Sequence, residues 1–280
     1  MRVLSLFFAL LILPTLAAGQ RIAILTPLDS PADADLANSL ENSMTDHSTK
    51  PVERSLAATA FKAANIRDAF NLSTAEARSS AASIGCEFLV ILRSEVLRRA
   101  SFSRPDYYEA FSSVYLVSGR SGRLAHWELI SFEAETERDA IKKLIGSADK
   151  LALDLLREMR TNLEAERVER PVPQIEQVPD DYSQAAKDLR APVPYRRIKP
   201  EYNARAAFYN IRATIDALAD VSETGQITRV EITRWAGFGL DESVTETIRK
   251  MNWKPAMRNG KPLAMRVLLR YNFTKVEDDD

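Results

Sequence analysis

The sequence predicts a chain of mixed α+β and α/β class with two domains joined by a proline-containing linker. An N-terminal α/β domain with a mixed sheet is expected over residues 20–162, and a small ββαββ domain over residues 195–276. Three observations carry this prediction. Strand and helix patterns alternate along the first domain, and two stretches of period-2 alternation enclose a helical pattern in the second. Between the domains, residues 163–194 contain five prolines, which favours extended chain over packed structure.

Residues 1–19 have the layout of a secretory signal peptide. Arg2 supplies a positive charge, an apolar run follows, and Gly19 precedes the expected cleavage site before Gln20. The apolar run spans residues 3–18, whereas a helix needs about 20 residues to cross a bilayer. We therefore expect an exported, soluble protein. The alternative is that this segment is retained as an inner-membrane anchor, and only in that case do we expect membrane association.

The first domain opens with a strand and a helix. An apolar run over residues 21–28 predicts the strand, and apolar residues at positions 36, 40 and 44 follow at helical spacing. Ser73 and Glu76 form a capping-box signature that starts a second helix, which Gly85 ends.

The rest of this domain predicts a buried strand, a hairpin and a helix. The run Phe88–Leu92 is continuously apolar, as in a strand buried on both faces. Segments 107–117 and 124–132 flank a glycine-containing loop and predict an antiparallel hairpin. An apolar stripe over residues 136–162 predicts one long helix.

The second domain shows two alternating stretches around a helix. Residues 211–221 and 226–234 predict a hairpin with its turn at residues 222–225. Apolar residues at positions 240, 244, 248 and 251 predict a helix. An Asn-Gly turn then precedes a long alternating strand over residues 263–273.

Several elements of the first domain resemble the N-terminal domain of the periplasmic protein TolB and modules of the LpoB and CsgG kind. They are the opening strand, the helix that ends in Ser-Ile-Gly at residues 83–85 before Cys86, and the segment 117–127 with its Ser-Gly-Arg-Ser-Gly loop. The resemblance implies a non-catalytic interaction domain of the cell envelope.

The second domain resembles the C-terminal domain of the TonB energy-transducer family, over residues 194–274. The matching motifs are Pro-Glu-Tyr at 200–202, Glu-Thr-Gly-Gln-Ile at 223–227, Leu-Asp-Glu at 240–242, and Trp-Lys-Pro-Ala at 253–256 before Asn-Gly-Lys-Pro at 259–262. The resemblance implies a periplasmic domain that binds an extended peptide of an outer-membrane receptor or another envelope protein by strand addition.

Two features separate the chain from a transducer of that family. Its N-terminal segment looks cleavable and contains no histidine, and its proline-containing linker is short. These departures favour a binding module without proton-motive coupling. A genuine energy transducer held in the inner membrane remains the alternative.

The outer face of the last strand is where we expect a partner strand to be recognised. Ala264 and alternate residues after it should face away from the core, whereas residues at odd positions should pack inward. A proline at Leu269 is expected to block strand addition, and an exposed edge could also pair two copies of the chain. The candidate edge residues are Arg266, Leu268, Arg270, Tyr271 and Asn272.

Composition argues against an enzyme and against a resident metal or cofactor. The chain has one cysteine, Cys86, and two histidines, which is little material for a zinc site. No common catalytic or phosphate-binding motif occurs, and Asp216 and Asp220 are expected to face solvent. An envelope enzyme built from scattered carboxylates is the remaining alternative.

The charge of the second domain bears on its partners. Residues 195–276 carry 15 Lys and Arg against 8 Asp and Glu, while residues 277–280 form an acidic tail. A basic module can meet nucleic acid, anionic lipid or an acidic peptide. Export makes nucleic acid the least expected of these.

Overall fold

A computed structural model describes residues 20–47, 49–100, 105–169, 174–179 and 187–274. The predicted signal peptide with Gly19 and the acidic tail lie outside the described residues. Gln20 is the first described residue, and its carbonyl accepts a hydrogen bond from the Lys50 backbone N–H at 2.8 Å. Among the described residues, regular structure starts directly after the predicted cleavage position.

The first domain is a five-stranded mixed sheet with the order β2-β1-β3-β4-β5. The first three strands pair in parallel and the last two are antiparallel. The strands are β1 Arg21–Leu25, β2 Lys50–Pro51, β3 Phe88–Arg99, β4 Tyr107–Ser118 and β5 Leu124–Ala134. The helices are α1 Pro31–Thr45, α2 Arg54–Ala63, α3 Thr74–Ile84, α4 Glu137–Ile145 and α5 Ala148–Val168.

Helices cover both faces of this sheet. Leu36, Leu144 and Leu155 from α1, α4 and α5 pack with Phe88 and Val90 in one buried cluster. Residues of α2, α3 and the second domain pack with the opposite face of β1, β3 and β4 in another. The α/β sandwich predicted from the alternating patterns is confirmed.

The single helix predicted over residues 136–162 is two helices in the structure. The break lies at Gly146 and Ser147, where the Ser147 N–H and hydroxyl both donate to the Leu144 carbonyl. Glycine and serine favour such an interruption because glycine is a poor helix former and a serine hydroxyl competes for backbone groups. The apolar stripe continues across the break, which is why the pattern predicts one helix.

The second domain contains a three-stranded antiparallel sheet with the order β13-β8-β9. Its main elements are β8 Ala213–Val221, β9 Ile227–Arg234, α7 Leu240–Lys250 and β13 Met265–Phe273, preceded by the short helix α6 Ala204–Phe208. The predicted α+β class is confirmed, and the two strands, the helix and the long final strand of the predicted ββαββ order are present. Between α7 and β13, where that order has one strand, the structure has three short strands.

Part of the proline-containing linker pairs with the second domain. Residues 163–168, predicted as the start of the linker, instead continue helix α5. Strand β6 Leu189–Arg190 pairs with β11 Ala256–Arg258, which also pairs with β12 Lys261–Leu263. Strand β7 Val193–Pro194 pairs with β10 Trp253–Lys254. These parts of the linker are extended, as their prolines favour, but their backbone groups bond to the folded domain.

One buried cluster joins the two domains. Trp235, which is 1% exposed, stands 5.6 Å from the ring of Tyr115, and its Nε1–H donates to the Gly122 carbonyl at 3.2 Å. The Asn71 side chain donates to the Thr214 carbonyl at 2.8 Å and accepts the Thr214 N–H at 2.9 Å. The second domain is therefore packed against the first through apolar contact and specific hydrogen bonds.

A buried carboxylate holds the loop that precedes α7. Asp241 accepts backbone N–H groups from Ala236 at 3.0 Å and from Gly237 at 2.7 Å. The loop has positive φ at three successive residues, from Gly237 to Gly239. Burial raises the pKa of Asp241 to about 7, although the two backbone hydrogen bonds oppose the increase.

We expect Asp241→Asn to change the pH dependence of stability. Because burial raises the Asp241 pKa in the folded state, the folded protein binds an extra proton between roughly pH 4 and 7. The wild type should therefore lose stability relative to the variant as the pH rises through that window. Urea unfolding at pH 5 and pH 8 should show that the difference in unfolding free energy between wild type and variant shifts by about 3 kcal/mol. An unchanged difference would mean that Asp241 keeps an ordinary pKa.

Candidate strand-docking edge

Strand β13 is the outer edge of the second sheet. It pairs with β8 along its whole length, with Leu268 opposite Leu218 and Phe273 opposite Ala213. The other edge strand, β9, meets the first domain through a bridge between Arg234 and Ser73. The two edges thus differ, because β9 faces the neighbouring domain.

The backbone of β13 points outward at every second residue. The Arg266 N–H donates to the Glu176 carbonyl at 2.8 Å, and the Arg266 carbonyl accepts the Val178 N–H at 2.9 Å. Both groups of Arg266 therefore face away from β8. Since directions alternate along an antiparallel strand, the backbone groups of Leu268, Arg270 and Asn272 also face outward. Among the described residues, none pairs with those outward groups.

Two of the predicted edge residues carry charges that are already neutralised. Arg266 forms a two-point pair with Asp220 at 2.6 and 2.8 Å, and Arg270 forms one with Asp216 at 2.7 and 2.9 Å. The expectation that Asp216 and Asp220 face solvent was wrong, because they are 7% and 2% exposed. Each aspartate lies directly opposite its arginine across the strand pair, and paired charges of this geometry tolerate burial.

The remaining predicted edge residues lie on two faces. Leu268 is 48% exposed on the same face as the arginines, and the Asn272 Oδ1 accepts a hydrogen bond from the Thr214 hydroxyl at 2.9 Å. Tyr271 lies on the opposite face, half-buried against the core, and burial raises its pKa. Four of the five candidate residues thus share one face, whereas Tyr271 directs its side chain to the core and its backbone groups to β8, so it contributes nothing to the outer edge.

The linker also contacts this edge, which the sequence interpretation missed. Gln177 forms an isolated parallel bridge with Arg266, and Glu176 forms a two-point ion pair with Arg258 of β11. The sequence does carry a signal for this strand-like contact. Residues 174–178, Gln-Ile-Glu-Gln-Val, lie between prolines and include Ile175 and Val178, which favour strands.

A groove lies beside the carboxyl end of β13, between the two domains. Its volume is about 540 Å³, and Arg67, Arg212, Arg270 and Asn272 are among its lining residues. Arg67 and Arg212 are exposed and have no ion-pair partner among the described residues. Ala213 and Thr214 of β8 and Arg234 of β9 also line the groove, so it lies on the β8 side of β13 and not along the outer edge.

The structure gives no further support to catalytic or metal chemistry at this edge. Within the described ranges, no group of three or more His, Cys, Asp or Glu residues is arranged to hold a metal ion. Burial raises the pKa of the Cys86 thiol to about 12, so the thiolate is disfavoured. No helix in the part of the chain that the structure describes is long and apolar enough to cross a membrane.

Comparison with protein families identifies the second domain. Residues 198–274 match the family described as Gram-negative bacterial TonB protein C-terminal. The second domain is therefore TonB-like, as its motifs predicted, and the match supports an envelope protein that carries a TonB-like module. None of the curated proteins matches the chain.

Solved structures similar to parts of the chain have low identity. The Pseudomonas aeruginosa TonB C-terminal domain is 20% identical, with 33% of this chain and 91% of that chain covered and a TM-score of 0.27. The PelC dodecamer of Paraburkholderia phytofirmans is 12% identical, with 51% of this chain and 91% of the PelC chain covered and a TM-score of 0.32. The LpoB C-terminal domain of Salmonella enterica is 11% identical, with 42% of this chain and 86% of the LpoB chain covered and a TM-score of 0.28.

Proposed function

We propose that this protein is a non-catalytic periplasmic protein that binds an extended segment of another envelope protein by strand addition. The added strand would pair with the outer edge of β13 at Leu268, Arg270 and Asn272, and the partner would be an envelope protein or a peptide of an outer-membrane receptor. One observation carries the proposal: these three residues direct backbone groups away from the sheet, and no residue that the structure describes pairs with those groups. The TonB-like family match supports the same mode of binding.

The chemistry of the edge suits backbone recognition. Backbone hydrogen bonds supply affinity in strand addition, while side chains at alternate positions supply selectivity. Leu268 offers an exposed apolar contact on the strand, and the neighbouring Arg266 and Arg270 are paired with aspartates of β8.

We further propose that residues 1–19 are removed and that the mature protein is soluble in the periplasm. Gln20, the residue after the predicted cleavage site, is part of the folded domain, because its carbonyl accepts the Lys50 N–H. Mass spectrometry of the protein from fractionated cell envelopes should find a soluble species beginning at Gln20. A membrane-bound species that still carries Arg2 would favour the inner-membrane transducer instead.

A crosslinking experiment tests strand addition in the cell. A photoreactive benzoylphenylalanine at Leu268 should crosslink to one extended segment of a partner, identified by mapping the crosslinked peptide. The same group at Thr228, an exposed position of β9, serves as the matched control and should not give that product. Crosslinks to unrelated segments, or equal products from both positions, would contradict the proposal. A crosslink to β13 of a second copy would show that the edge forms a homodimer.

A further inference from the structure

The segment Gln174–Pro179 of the linker lies against the same edge to which the partner is proposed to bind. It runs parallel to β13, with Gln177 opposite Arg266. The Glu176 carbonyl and the Val178 N–H form its two backbone bonds, at 2.8 and 2.9 Å. The linker thus occupies the outward backbone groups of Arg266. The outward groups of Leu268, Arg270 and Asn272 are unpaired among the described residues.

An ion pair fixes the register of this segment. The Arg258 guanidinium donates to both carboxylate oxygens of Glu176, at 2.9 and 2.6 Å. The hydrogen bonds from Arg258 hold the pKa of Glu176 below its usual range. Both side chains are partly exposed, so this pair is open to exchange with another carboxylate.

Geometry allows only one chain at this position. Neighbouring strands lie about 4.8 Å apart, and the outward groups of Arg266 can bond to a single added strand. A partner strand that pairs with Leu268–Asn272 and extends to the next outward-facing residue, Arg266, would meet the linker there. One bridge and one exposed ion pair form a weak attachment, although its intramolecular nature gives it a high effective concentration.

We propose that the segment Gln174–Pro179 is an intramolecular competitor that a partner strand displaces from the β13 edge. The incoming strand would run parallel to β13 and carry a carboxylate that takes the place of Glu176 on Arg258. This inference rests on the proposed function, because it assigns the regulation and the preferred partner chemistry of the same edge.

Two proline variants of the full chain form a matched pair for testing the competitor. Val178→Pro removes the N–H that donates to Arg266. Gln177→Pro removes an N–H that points away from β13, because the bridging residue of a parallel pair does not bond to the strand opposite. Only Val178→Pro should release the linker. Circular dichroism and urea unfolding should show that both variants remain folded, since neither residue lies in the domain cores.

Hydrogen exchange reports directly on the linker. The Arg266 amide should exchange at least tenfold faster in Val178→Pro than in the wild type, while Gln177→Pro should match the wild type. Should Val178→Pro fail to fold, Glu176→Lys provides a second variant that loosens the segment. Adding Arg258→Glu to Glu176→Lys restores opposite charges and should return the Arg266 amide to slow exchange.

A labelled peptide tests competition without knowledge of the partner. A fluorescent peptide with the sequence of residues 172–181 should bind Val178→Pro at least tenfold more tightly than the wild type, and Arg258→Glu should weaken that binding. Equal binding of the peptide to the wild type and to Val178→Pro would overturn the inference, as would fast exchange of the Arg266 amide in the wild type. These results do not depend on the partner, whereas the absence of a Leu268 crosslink would count against the proposed function alone.

Discussion

We expect Trp235→Ala to lower the free energy of unfolding by about 3–5 kcal/mol, as is usual when a buried aromatic residue is truncated. Trp235 is 1% exposed and contacts the Tyr115 ring of the first domain. Its loss would leave a cavity at the junction and would remove the donor to the Gly122 carbonyl. Because the cluster contains residues of both domains, the change should destabilise the whole molecule and not the second domain alone.

Urea unfolding, followed by fluorescence and circular dichroism, checks this prediction. Trp235→Phe is the matched control, because it keeps an aromatic ring but lacks the indole N–H. It should cost clearly less than the alanine variant, on the order of 1–2 kcal/mol. A loss below about 1 kcal/mol for Trp235→Ala would contradict a continuous core between the domains.

The second large effect is expected from prolines at two neighbouring positions of β13. The backbone N–H of Leu269 faces β8, so Leu269→Pro removes a bond inside the sheet and leaves a β8 carbonyl unpaired, which should cost about 1–3 kcal/mol besides the lost packing of the leucine. The N–H of Leu268 faces outward, and an edge strand tolerates proline at such a position. Leu268→Pro should therefore leave the protein folded while it removes one donor to a partner strand.

This pair corrects the expectation from the sequence alone, which placed the blocking proline at Leu269. Leu268→Ala is the control for the side chain, because it retains the backbone donor. Binding of the crosslinked partner segment should fall at least tenfold for Leu268→Pro and much less for Leu268→Ala. A contradicting result would be that Leu268→Pro unfolds the protein while Leu269→Pro leaves it folded. The backbone groups of Leu268 would then face β8 and those of Leu269 would face outward.

The elements of the fold that depend on local patterns were predictable from the sequence. Period-2 alternation placed β8 and β13, and the Ser73–Glu76 capping box is present at the start of α3. These signals act within a few residues, so they survive without knowledge of the tertiary structure.

Features that depend on distant pairing were not predictable. Asp216 lies 54 residues before the arginine that covers it, and an aspartate on the polar face of a strand gives no local sign of such a partner. The linker bridge at Gln177 and the shared cluster around Trp235 depend equally on contacts between separate segments. The break between α4 and α5 was missed because the apolar stripe crosses it.

The most direct test of strand addition is hydrogen exchange at β13 with and without a synthetic peptide of the crosslinked partner segment. The outward amides of Leu268, Arg270 and Asn272 should exchange quickly in the free protein and at least tenfold more slowly in the complex. The inward amides of Leu269 and Tyr271 should be slow in both states, since they face β8. A peptide that binds while the three outward amides keep their fast exchange would contradict binding by strand addition.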